Sequence, residues 1–107
     1  MKATVAFALL AGAACSTAER PLTAHELETY PAASRAPADV QRFIARWSDC
    51  ARWLARDPWT RAEVSEIGEA QHRFCPGIDM RARRLRSRYA DDPEILALLE
   101  EFDRLGE

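Results

Sequence analysis

From residue 37 onward, apolar side chains recur at steps of three and four. Val40, Phe43, Ile44, Trp47, Cys50, Ala51 and Leu54 form one stripe, with Arg42, Arg46, Asp49 and Arg52 largely outside it. That spacing predicts an amphipathic helix opened by Pro37, with Asp39 in its first turn and Asp57-Pro58 beyond its end. Val64, Ile67, Ala70, Gln71, Phe74 and Cys75 predict a second helix. Ile78, Ala82, Leu85 and Tyr89 predict a third, and Ile95, Leu96, Leu98, Leu99, Phe102 and Leu105 a fourth. No run alternates apolar and polar long enough for a strand. The pattern therefore predicts an all-α domain, a small bundle of four principal helices over residues 37–105.

The start signals agree with the stripes. Thr60-Arg61-Ala62-Glu63 reads as a capping box, and Asp92-Pro93 as an N-cap followed by proline at the first helical position. Pro76-Gly77 ends the second helix. Asp79, just beyond it, is expected as an N-cap or first-turn acid of the third, with a binding residue as the alternative. Residues 19–36 are rich in Pro, Ala, Ser and Thr and read as a mobile leader with one short helix. Its signal is the capping box Thr23-Ala24-His25-Glu26, with Leu22 and Leu27 at the hydrophobic-staple positions.

The first eighteen residues read differently. Met1-Lys2 precede an apolar run from Ala3 to Ala14 and then small residues. The run is shorter than the ~20 residues of a membrane span and fits a secretory signal peptide. We adopt cleavage after Ala18, following Ser16-Thr17-Ala18. The alternative is a membrane-anchored lipoprotein through Cys15, since Gly12-Ala13-Ala14-Cys15 resembles a lipobox in its last three positions. Both leave two cysteines, Cys50 and Cys75, and an exported chain with two thiols predicts a disulfide. The bridge closes a loop worth ~3 kcal/mol. A tight hairpin would set Cys50 against the middle of the second helix. The pairing therefore requires Leu54–Trp59 to run extended, so that the second helix returns along its own length.

Charge narrows the partners. The chain is 30% charged with a net −2. Lys2 is the single lysine and Glu19 the first acid, so the processed chain carries 14 arginines against 17 acids. That balance gives no global attraction for nucleic acid. Locally, Arg81, Arg84 and Arg88 share one side of the third helix, a candidate surface for anionic envelope groups. A solvated face with cations near a helix C-terminus explains the same cluster. Trp53 and Trp59 fall off the core stripe and are candidate anchors for a partner, although tryptophans often cover the edge of a core. Cys50, His72 and Cys75, with Asp49 or Asp79 as a fourth ligand, have metal-ligating chemistry that an oxidised pair forfeits. No G-x-S-x-G, H-E-x-x-H or phosphate loop occurs. No catalytic residue, cofactor or resident metal is therefore expected.

Trp47-x-x-Cys50, Cys75-Pro76-Gly77-Ile78-Asp79 and Leu85-x-x-x-Tyr89 together resemble an uncharacterised family of small exported proteobacterial proteins. The likeness spans about residues 40–105. It implies a periplasmic or envelope setting and supplies no activity. A second likeness, to periplasmic lysozyme inhibitors with paired cysteines, departs in the Cys–Cys spacing. The expectation is a non-catalytic exported helical protein, a binding or interaction module for an envelope protein or anionic envelope component. Alternatives are an inhibitor of a cell-wall hydrolase and a small metal-binding protein using Cys50, His72 and Cys75.

Overall fold

The computed structural model describes residues 20–102. The signal peptide, the processing sites at Ala18 and Cys15, and the last stripe position, Leu105, lie outside these residues. Five α-helices follow in order: α1 (Ala24–Thr29), α2 (Ala38–Leu54), α3 (Arg61–Phe74), α4 (Ile78–Arg88) and α5 (Pro93–Glu100). A 3₁₀ turn, Pro31–Arg35, separates α1 from α2. The class is all-α, and α2 to α5 are the four principal helices.

Local chemistry sets most helix starts. Both capping boxes form: the Thr23 and Thr60 hydroxyls accept from the backbone N–H of Glu26 and Glu63, whose carboxylates accept in return from the N-cap N–H. The Asp92 carboxylate accepts from the Ile95 N–H, with Pro93 opening α5. Pro37 is the N-cap of α2, one position earlier than its expected place at the first helical residue. Gly77 takes φ 78°, a left-handed conformation glycine reaches without strain, and itself occupies the N-cap of α4. Asp79 therefore serves as a first-turn acid and not as the cap.

α2 is the spine. Val40, Phe43, Ile44 and Cys50 are fully buried on it. Both α3 and α4 run antiparallel to it, one after the other. Gln71 donates to the Trp53 carbonyl at 3.4 Å, and Cys75 is bonded to Cys50 with Cα atoms 5.0 Å apart. At the far end of α4 the Tyr89 hydroxyl donates to Asp39 at 2.8 Å. α3 thus covers the C-terminal end of α2 and α4 the N-terminal half, with the joint at Cys75. Arg46 secures that joint by donating to the carbonyls of Phe74 and Arg73, both at 3.1 Å. These carbonyls lie at the helix end, where no backbone donor remains for them. Residues 56–59 run without helix between α2 and α3, as the bridge requires.

α5 packs against α4 and the 3₁₀ turn. Just past it, Phe102 sits among Tyr30, Trp47 and Phe43, at ring separations of 4.5, 5.0 and 6.2 Å. Edge-on and tilted rings at these distances add to simple burial.

Two expectations are corrected. Residues 20–36 are not a leader outside the domain. Ala33 is fully buried, and Leu22, Leu27 and Tyr30 pack on the core. The small apolar side chains of this polar-looking segment fit closely over α2 and α5, so residues 20–36 belong to the domain expected to start at 37. Leu54 and Val64, placed on the inner stripes, are 43% and 55% exposed. The register fixed by Gln71–Trp53 and Cys75–Cys50 explains Val64: the first turns of α3 project past the end of α2.

Candidate functional site

The stretch before α1 lays Arg20 across α2. Its guanidinium meets Glu26 in a two-point contact, with Nη1 to Oε1 at 2.8 Å and Nη2 to Oε2 at 2.7 Å. The same group reaches Asp49 through Nε at 3.2 Å and Nη2 at 3.0 Å. Arg52 adds a bond to Asp49 at 2.8 Å. Glu26 and Asp49 are both buried, which such pairing permits. Hydrogen bonding from Arg20 holds the Glu26 carboxyl down to about 2, against the opposing effect of burial and with help from the Thr23 N–H. The same bonds raise the Arg20 pKa. The two arginines and two carboxylates cancel in charge.

Above this network lies a groove of about 370 Å³ between α1 and α2. α1 contributes His25 and Thr29, with Tyr30 just beyond its end; α2 contributes Trp47, Ser48 and Arg52. The Thr29 hydroxyl donates to the His25 carbonyl at 2.9 Å. The Trp47 indole N–H is buried and meets no acceptor among the described residues.

The predicted site residues do not converge. Arg88 pairs with Asp39 at 3.4 Å beside Tyr89, a tie between α4 and the start of α2. That Asp39 bond also raises the Tyr89 hydroxyl pKa. Arg84 is exposed and contacts the Met80 sulfur at 3.4 Å, while Arg81 is half-buried. Trp53 is half-buried under the Arg56 guanidinium, 4.7 Å from its ring centre. Trp59 is 89% exposed. The arginine set thus follows α4 toward the N-terminal end of α2, and the tryptophans sit at its other end. His72 is exposed on α3, and the sulfurs of Cys50 and Cys75 are bonded to each other. No family model matches the chain, nor does any curated protein or solved structure. Among the described residues, no helix is long and apolar enough to cross a membrane.

Sequence reasoning missed the Arg20–Glu26–Asp49 network and the groove above it. Glu26 already had a complete local role in the capping box, which concealed its second one. The signal that points to Asp49 is its spacing: it stands four residues after Ala45, which is buried, and three before Arg52.

Proposed function

We propose that this chain is a non-catalytic exported protein of the periplasm or envelope that works by binding a partner protein. The observation that carries the reading is Trp59. Its ring is 89% exposed, yet its backbone is fixed, because its N–H and that of Thr60 both donate to the Glu63 carboxylate, at 2.8 and 3.0 Å. Leu54 and Val64 are the other exposed apolar side chains of this corner. A large aromatic on a preorganised backbone loses little entropy on docking and is the commonest kind of interface anchor. The overall negative charge disfavours nucleic acid as that partner.

The test replaces Trp59 with a photo-crosslinking residue in the processed protein, mixed with envelope extract. A specific partner gives a discrete adduct that excess unlabelled parent abolishes and excess Trp59→Ala does not. Adducts that survive competition by the parent, or that appear equally with the crosslinker at Glu69 on α3, overturn the reading. Intact mass of exported material tests the setting: Glu19 as first residue, or a lipid-modified Cys15, fits export, and a retained Met1 contradicts it.

A further inference from the structure

We propose that the edge formed by α4 and the adjoining flank of α2 docks on the phosphate layer of an anionic lipid bilayer. The edge lies away from the Trp59 corner and does not depend on it. Charge is shared unevenly among the helices. α4 carries five arginines, Arg81, Arg83, Arg84, Arg86 and Arg88, against one acid, Asp79. α1 and α5 carry acids and no arginine, and α3 holds two arginines against three glutamates. The overall negative charge acts at long range. Within a Debye length, about 8–10 Å at physiological salt, a surface responds to the charges that face it.

Two contacts bring α2 into the same edge. The Asp39 carboxylate accepts from the Tyr89 hydroxyl at 2.8 Å and pairs with Arg88 at 3.4 Å, which sets the Arg84–Arg88 side of α4 beside the Asp39 flank of α2. Arg42 stands one turn after Asp39 on that flank and is exposed. The groups offered are accessible and uncommitted. Arg42 and Arg83 are exposed and meet no partner among the described residues, and Arg84 touches only the neutral sulfur of Met80. Arg88 keeps 70% of its side chain exposed while one nitrogen lies on Asp39. Asp91, just past α4 and seven residues after Arg84, opposes an anionic surface.

Guanidinium groups bind phosphate through paired hydrogen bonds, where an ammonium supplies only a point charge. Arg84 and Arg88 present two such groups on adjacent turns, with Arg42 across from them on α2. A layer of headgroups meets all of them together, whereas a single free phosphate reaches only part of the edge. Met80, one turn before Arg84, is 49% exposed. A flexible apolar side chain among arginines suits shallow entry between headgroups while the guanidinium heads stay at the phosphates.

The test is sedimentation of the processed protein with lipid vesicles. Partition onto phosphatidylcholine vesicles holding ~40% phosphatidylglycerol should exceed that onto phosphatidylcholine alone at least about fivefold, and ~0.2 M salt should remove most of the difference. Arg42→Gln and Arg84→Gln should each weaken partition about threefold to fivefold, and Asp91→Asn should strengthen it about as much. Arg61→Gln makes the same change in net charge at an exposed position on α3 and should alter partition less than about twofold. Trp59→Ala should leave it unchanged, and thermal melting confirms that each variant is folded. Inorganic phosphate at constant ionic strength should displace no more protein than chloride does. Equal partition onto both kinds of vesicle overturns the proposal, as does a loss with Arg61→Gln as large as that with Arg84→Gln. Displacement by phosphate at constant ionic strength overturns it in favour of a discrete ion site. Capture by a polyglutamate peptide but not by the vesicles overturns it in favour of an acidic protein partner.

Discussion

The two capping boxes use the same four-residue code and end in different worlds. At Thr23 and at Thr60 the hydroxyl accepts from the third helical N–H at 3.1 Å, and the glutamate returns the bond at 2.9 and 3.0 Å. The residues flanking the first box, Leu22 and Leu27, pack on the core. Those flanking the second, Trp59 and Val64, stand in solvent. Glu26 is buried and shared with Arg20, whereas the Glu63 carboxylate turns its spare capacity to the Trp59 N–H. Sequence chemistry thus decides where a helix begins. What the beginning contributes depends on whether a distant element comes to meet it.

The sharpest way to break the comparison is to cut what holds the second region. Cys50→Ser should lower stability by about 2–5 kcal/mol in urea unfolding, and adding Cys75→Ser should change it little further, because both remove one bond. A neutral Cys50→Ser would mean that α3 is held by its own contacts. Next comes the first region. Arg20→Ala leaves two buried carboxylates without their shared donor and should cost about 1.5–3 kcal/mol by the same measurement.

Acid tests the first box. The folded-state pKa of Glu26 is depressed to about 2 from an ordinary 4.5. Its contribution is therefore fully present above about pH 4.5 and is lost as pH falls from there toward 2. Glu26→Gln should flatten the fall in urea midpoint between pH 5 and pH 3 relative to the parent, because the acid-sensitive contribution of this carboxylate is gone. A slope equal to the parent's would contradict the role drawn for the Arg20–Glu26 pair. Smaller still, Thr23→Ala and Thr60→Ala should each cost about 1 kcal/mol, since each loses the same capping bond. Trp59→Ala should fall within about 0.5 kcal/mol of the parent in thermal melts, because its ring covers nothing.

The sequence was most legible where neighbours along the chain decide the outcome. Thr23, Thr60, Asp92 and Pro93 carry their own hydrogen-bonding or steric reasons, and the α5 stripe from Ile95 to Phe102 is buried almost as spaced. Legibility ends where the deciding partner is remote. Arg20 and Asp49 lie 29 residues apart, and no local rule pairs them. Ala33 is too small to mark itself as core, yet its size is what lets the turn sit against α2. Val64 holds a correct helical position, but the register set at Cys75 carries it past the helix that would have covered it. Trp47 reads as core and partly is; its periodicity says nothing of a buried indole N–H with no acceptor among the described residues. The predicted surfaces failed to merge for a related reason, since α4 and the Trp59 corner occupy opposite ends of α2.

The placement of the Cys50–Cys75 bond has an engineering consequence. Alignment of α3 on α2 is dictated from the end of α3, not from the connection that precedes it. Residues 56–59 only have to reach; they set no register. Extra residues inserted between Asp57 and Pro58 would turn an extended connection into a longer one at a closure cost growing only with the logarithm of its length, while the helices stay aligned. That position is a natural port for a fused peptide or a second domain, delivered beside Trp59 without re-threading the bundle.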